Sequence, residues 1–401
     1  MTTTLPDLSV FTDEARAWLA DIAPRRSEKV WGEGSDSVAV FENWTADEER
    51  AHTDEIIAYE RAKFDAGWGA LTWPATYGGR GLSLAYELAF RSVEDEFEVP
   101  RRTEMFSVTQ QLVAPTVAQW GTPDQCERYV TAMLRTDIIA CQLFSETEAG
   151  SDLAAVRSKA VRSGDGTWTL NGHKVWTSGA RVSDFGVAVC RTDPTAPKHK
   201  GLTVFLVPMD APGVTIRPIR QMTGGSSFNE VYLEDVHLDD EYRLGPVDQG
   251  WSVALTVLAA ERLDGAGLGL ANADRAVELA TNLGRPLNEI ERDRVADLIT
   301  RAFVQRIAGM RVAQAMVSGA EPGPEASMGK LLATDTMART SEVARLLLGT
   351  DLIADGGSWG HFAWTEHVLG APGYRIAGGT DEIQHNIIAE RVLGLPKEPR
   401  A

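Results

Sequence analysis

Apolar positions keep helical spacing through the first 138 residues and then give way to alternation. Asp13 to Ala20 carries acids early in a helical turn, and Thr45-Ala46-Asp47-Glu48 is a capping box opening a helix toward Lys63. The Gly/Pro-rich run from Gly67 to Gly81 predicts a loop with apolar anchors. Ser83 caps a helix to about Phe97, and Gln110–Trp120 and Pro123–Leu134 continue the pattern across Gly121-Thr122. From Ile139 to Leu238 the period shifts toward two, with short strands at 187–190, 202–207, 214–219 and 230–236. From Gly250 the chain predicts long helices near 250–283, 288–318 and 326–354. Glycine-rich loops at 356–360 and 370–373 then precede a last helix, Asp381 to Leu393. The order predicts a multi-domain α and β protein. It has an N-terminal helical domain (1–138), a central β-barrel or sandwich (139–240) and a C-terminal helical bundle (241–401). No G-x-G-x-x-G follows a strand, so the Rossmann mode of dinucleotide binding is not expected.

One stretch, Cys141 to Ala180, carries the candidate chemistry. Glu148-Ala149-Gly150-Ser151-Asp152 is small and polar, suited to a tight loop that brings backbone N–H groups close to a ligand. Thr167 to Trp176 alternates around Asn171-Gly172, which predicts a hairpin turn. Trp176-Thr177-Ser178 offers a stacking face and hydroxyl donors to a planar heteroaromatic ring. On these residues alone, an ordinary β-domain with a core tryptophan and turn-capping Ser and Asp is the simpler reading.

Composition narrows the field. A formal charge of −18 argues against a nucleic-acid or anionic-membrane surface. It leaves room for an anionic thioester, because local basic residues can reverse the field. Three cysteines without a C-x-x-C fit a reducing compartment, and the seven histidines are too scattered for a metal site. The N-terminus lacks a basic region followed by an apolar core, and no apolar run approaches the ~20 residues of a membrane helix. A cytoplasmic protein without a signal peptide is expected.

The stretch resembles the flavin-binding signature of the acyl-CoA dehydrogenases, a Thr-Glu-Pro-x-x-Gly-Ser-Asp loop and a Trp-x-Thr/Ser strand. Aligned from Gly150-Ser151-Asp152, Ser145 falls where the family's loop Thr bonds the flavin. Trp176 and Ser178 fall on the ring-facing Trp and the hydroxyl near flavin N5. Thr147 replaces the loop proline. Gly67 to Gly81 is similar to the family's GW…WP…YGG.G segment, and the resemblance covers roughly residues 60–398. It implies FAD bound by Phe144, Ser145, Gly150, Ser151, Trp176, Thr177, Ser178, Gly379, Thr380 and Glu382. It also implies a thioester held by Ser151, Arg262 and Gly378.

Desaturating a thioester needs a base for the α-proton, a hydride acceptor and donors to the carbonyl oxygen. The family's commoner base position aligns with Gly378, which has no side chain. The alternative, used by isovaleryl, long-chain and some steroid-side-chain members, is a Glu-Arg on the first long C-terminal helix. Here it matches Glu261-Arg262, after the apolar run Val257 to Ala260. A surface Glu–Arg pair is the ordinary alternative for two adjacent charges. The resemblance implies that the Gly378 N–H still binds the thioester oxygen, and the Gly378-Gly379 pair is expected to open room for a bulkier acyl group.

The family's FAD sites span subunit interfaces; here Ala280 replaces an Arg that reaches the partner subunit's FAD, and Glu291 a nearby Gln that helps hold FAD. The resemblance therefore implies a tetramer, of one chain or of two homologous kinds. It also implies an acyl-CoA substrate and an electron-transfer flavoprotein-like acceptor. An acyl-carrier-protein dehydrogenase, an acyl-CoA oxidase and a non-catalytic partner subunit stand as alternatives.

Overall fold

A computed structural model of the chain describes residues 6–27, 38–261, 271–320, 323–354 and 362–397. By internal contacts it divides into two compact units. One comprises Met1–Glu28, Trp44–Ile219 and Ser226–Ala260; the other Lys29–Asn43, Arg220–Gly225 and Glu261–Ala401.

The first unit begins with α1 (Leu8–Ile22), capped by Asp7, whose side chain accepts from Ser9 N. Phe11, Ala15 and Leu19, spaced by four, form its buried face against Tyr86, Phe90 and Val93 of α3 (Leu84–Glu94). Each large apolar side chain buried there is worth about 1.5–3 kcal/mol. Between them, α2 (Ala46–Asp65) opens with the capping box expected at Thr45, with Glu48 at N3. Two helical runs follow, α4 (Glu104–Ser107) with α5 (Ala114–Trp120), and α6 (Pro123–Gln125) with α7 (Thr131–Leu134). Gly121 and Thr122 separate the runs, and Thr122 forms a second capping box with Gln125.

The β-domain holds β1 (Ala140–Leu143), β2 (Lys159–Arg162), β3 (Trp168–Ser178), β4 (Phe185–Arg191), β5 (Leu202–Pro208), β6 (Val214–Ile219), β7 (Phe228–Leu238) and β8 (Arg243–Leu244). Its order is β6-β7-β3-β2-β4-β5-β8, with β1 parallel to β4. A single bridge, Lys159 to Arg191, joins the β6-β7-β3-β2 half to the β1-β4-β5-β8 half. Side chains from both halves share one core, among them Trp168, Leu170, Ala188, Phe205 and Val231. The alternate residues Val187, Val189, Val204 and Leu206 pack in another with helical residues Leu112, Val117 and Val253. Burial on both faces explains why β4 and β5 read as unbroken apolar runs.

The expected turn at Asn171-Gly172 does not form. β3 passes straight through, the ladder shifting register between Leu170 and Gly172 with the extra residue on β7, and the β2–β3 turn lies at 163–167, with Gly166 at φ +94°. Gly172 is a close-approach residue: a Cβ there would lie 2.0 Å from Ser158 Oγ.

α8 (Gly250–Glu261) ends in Glu261, which groups by contact with the second unit. That unit contains α9 (Ala273–Thr281), α10 (Glu289–Val317), α11 (Ser327–Leu348), α12 (Phe362–Ile376) and α13 (Asp381–Ile387). The helix expected over 250–283 is two helices, because Asn272, left-handed at φ +51°, opens α9. The loop expected at 370–373 is instead part of α12, with Pro372 inside the helix. Its glycines serve packing: a Cβ on Gly370 would lie 2.9 Å from Val40 Cβ, and one on Gly373 2.9 Å from Phe41. Among the described residues, no helix is long and apolar enough to cross a membrane. No group of three or more His, Cys, Asp or Glu among them is arranged to hold a metal ion.

Candidate functional site

In the first unit a buried lysine organises the loop that follows β1. Lys174 is fully buried, and its ammonium donates to Phe144 O (3.2 Å), Val189 O (2.8 Å) and Glu146 Oε1 (2.8 Å). Three donors meet three acceptors, which is what makes a buried ammonium tolerable. Burial pushes the Glu146 carboxyl up, but Lys174 and hydrogen bonds from Ser158 and Arg157 outweigh it, leaving it below its ordinary value. Glu146 also pairs with Ala149 through two backbone bonds of 3.0 and 3.1 Å, and Val175 N donates to Ser145 O at 3.0 Å. Phe144 and Ser145 are thereby fixed beside β3. Gly150 and Ser151 lie exposed at the loop's tip, with nothing within 4 Å of where a Gly150 Cβ would sit.

At the other end of β3 the ladder shifts register between Lys174 and Thr177, and Trp176 sits at φ +60°. A bulge of this kind throws the residue out of the sheet, and a left-handed non-glycine residue costs about 1–3 kcal/mol. Trp176 is 57% exposed, its ring edge-on to Phe228 at 6.0 Å. The strain thus holds a large aromatic face toward solvent. Next to it, Thr177 is buried with its Oγ1 unpartnered, and Ser178 Oγ donates to Glu104 at 3.1 Å.

In the second unit, Glu261 and Gly378 meet. A Cβ on Gly378 would lie 3.4 Å from Glu261 Oε1. The Glu261 carboxylate therefore borders the space that a side chain at 378 would enter. Gly378 and Gly379 are both left-handed, at φ +59° and +80°, a turn that disfavours side chains. Thr380 caps α13 by accepting from Ile383 N at 3.2 Å, and Glu382 is exposed on its first turn. Arg262 lies outside the described residues.

Sequence reasoning missed the supports of both places: Lys174 and Glu146 in one, Lys330, Asp381 and Gln384 in the other. Lys174 had a signal, since counting in twos from buried Leu170 puts it on the inward face. Ala280 packs in the core of the second unit. Glu291 caps α10 and pairs with Arg285 at 2.7 Å; the Arg285 hydrogen bonds, with Asn288 N, hold its carboxyl down to about 2.

Family models for the acyl-CoA dehydrogenase N-terminal, middle and C-terminal domains match residues 37–137, 141–236 and 248–393. The chain belongs to the acyl-CoA dehydrogenase family. It is 33% identical over 99% of its length to acyl-CoA dehydrogenase IpdE1 of Mycobacterium tuberculosis, all of which it spans. It is 42% identical over 83% of its length to acyl-CoA dehydrogenase FadE34 of the same organism, but spans only 45% of that relative. The solved steroid ACAD Tcur3481-Tcur3483 matches with TM-score 0.78 and 25% identity, covering 99% of this chain and 100% of that one. The architecture is the family's: helical N- and C-terminal domains and, between them in sequence, a central β-domain.

Acyl-CoA dehydrogenases are FAD-dependent, and the residues present suit a flavin. Trp176 offers an exposed stacking face, Thr177 an orphaned buried hydroxyl, and Gly150 an open backbone approach beside the Ser151 hydroxyl.

Proposed function

We propose that this acyl-CoA dehydrogenase takes the α-proton of an acyl-CoA with Glu261 and yields a trans-2-enoyl thioester. The observation that carries the reading is the approach of Glu261 to the side-chain space at Gly378, 3.4 Å from where a Cβ would be. The position left without a side chain and the carboxylate that replaces it belong to one place. Glu261 holds the abstracted proton, and the Gly378 N–H donates to the thioester oxygen as charge develops there. Phe144, Ser145, Gly150, Ser151, Trp176, Thr177 and Ser178 hold the flavin, together with Gly379, Thr380 and Glu382. Arg262 and Ser151 contribute to the thioester site. FAD, when bound, supplies the acceptor for the hydride leaving Cβ.

A bulky, steroid-type acyl group is the proposed substrate class. Support comes from the likeness to a steroid ACAD and from the absence of a side chain at 378. Electrons pass on to a flavoprotein acceptor. The same reading takes 1–138, 139–240 and 241–401 as the three domains.

Anaerobic titration of the flavin-loaded protein with a panel of CoA thioesters tests the activity. Steroid-type thioesters should bleach the flavin, and Glu261→Gln should slow bleaching by about 10²–10⁴-fold while flavin and thioester still bind. Wild-type bleaching rates in Glu261→Gln would assign the base elsewhere.

Assembly of several chains, of one kind or two, is part of the proposal. Ile299, Phe303, Ile307 and Met310 of α10 are 40–61% exposed along one helical stripe, a face that suits a partner helix. Phe303→Asp with Met310→Asp should reduce the sedimenting mass. A wild-type protein sedimenting as a flavin-loaded monomer would refute the assembly.

A further inference from the structure

The Gly378-Gly379 turn has no side chain of its own to fix it, and two consecutive left-handed glycines have wide conformational freedom. Two side chains from elsewhere hold it. Gln384 is 1% exposed, and its Nε2 donates to Gly378 O at 3.0 Å and Gly379 O at 3.2 Å. The amide has no second orientation, since turning it would aim Oε1 at two carbonyls. Lys330 Nζ donates to Gly379 O at 2.7 Å, Arg375 O at 3.3 Å and Asp381 Oδ1 at 3.3 Å. The clamp is snug: a Cβ on Gly379 would lie 2.9 Å from Gln384 Nε2.

We propose that Lys330 and Gln384 are positioning residues of the proton-abstraction site. By holding the carbonyls of Gly378 and Gly379, they keep the Gly378 N–H at a fixed separation from the Glu261 carboxylate. The inference rests on the assignment of Glu261 as base. The two residues divide the work differently. Gln384 is neutral and acts by geometry alone. Lys330 adds a charge that faces Glu261, Asp381 and Glu382, with the Arg375 guanidinium also on Asp381. Thr334 Oγ1 and Arg375 Nε hold Asp381 at 3.0 and 2.8 Å, so the ammonium has a fixed counter-ion.

The test uses the flavin-loaded protein and a thioester that bleaches the wild type, with Lys330→Met, Lys330→Arg and Gln384→Met. Flavin reduction at saturating thioester should slow at least about tenfold in both methionine variants, with half-saturation little changed, because geometry limits the step. Lys330→Arg should recover most of the rate. The acid limb of the rate–pH profile should move upward in Lys330→Met and stay in place in Gln384→Met. Amide exchange over residues 374–384 should quicken in both, while exchange in α10 is unaltered.

Wild-type rates in both methionine variants, a loss confined to half-saturation, or unaltered exchange at 374–384 would overturn the proposal. If Gln384→Met does not fold, Gln384→Asn, one methylene shorter, gives the same readings. A wild type that no thioester bleaches refutes the base assignment, and the exchange measurement still decides whether the two side chains clamp the turn.

Discussion

Gly378 is a left-handed glycine whose missing side chain would border the Glu261 carboxylate. At φ +59° its backbone disfavours any side chain, while its Cβ position, 3.4 Å from Glu261 Oε1, is in ordinary contact. Gly378→Ala should lower stability by about 1–2 kcal/mol from the left-handed backbone alone, read from urea midpoints. The same strain would oppose a carboxylate placed at 378. Lys174 is a residue of the opposite kind, a buried charge whose removal exposes its partner's need. Lys174→Met leaves Glu146, 10% exposed, without its cation. Losing one member of a buried pair costs about 3–5 kcal/mol, again measurable by urea unfolding.

Elements were legible in the sequence where local chemistry decides them. The Thr45 capping box and the Gly121-Thr122 break stand where the spacing put them. Glycines misled, because the same residue serves a turn and a close approach. Asn171-Gly172 has the composition of a hairpin turn, yet Gly172 sits mid-strand to clear Ser158. Gly172→Ala should therefore cost about 1–3 kcal/mol through overpacking, whereas alanine at a true turn tip would leave neighbours unmoved. Urea unfolding of Gly172→Ala beside Gly164→Ala separates the two, since a Cβ at Gly164 meets nothing within 4 Å. Gly370 and Gly373 misled in the same way on α12. Of the candidate site, Glu261 and Gly378 could be picked out as candidates because each lies in a short motif. The roles of Lys174, Lys330 and Gln384 were not legible, because most of their acceptors are backbone carbonyls that only the fold brings to them.

For the molecule as a whole, acid sensitivity has a nameable source in His367. It is fully buried, its Nδ1 meeting Asn272 Nδ2 at 3.2 Å and its Nε2 meeting Met337 O at 3.4 Å. Burial lowers its pKa from 6.5 to about 4. Above pH 6.5 the folded and unfolded chains both carry it neutral. Below that, the unfolded chain binds a proton that the folded protein refuses, so stability falls until the folded histidine protonates near 4. The loss should approach about 3 kcal/mol across that window and should shrink in His367→Gln, followed by urea midpoints against pH. Lys174 has a further consequence, for chemical wear. Reactive thioesters acylate free lysine amines, and an amine with every hydrogen engaged inside the protein is closed to them. Peptide mapping after exposure to an acyl anhydride should find Lys159, Lys198, Lys200 and Lys397 modified, all solvent-exposed, and Lys174 spared until the chain unfolds.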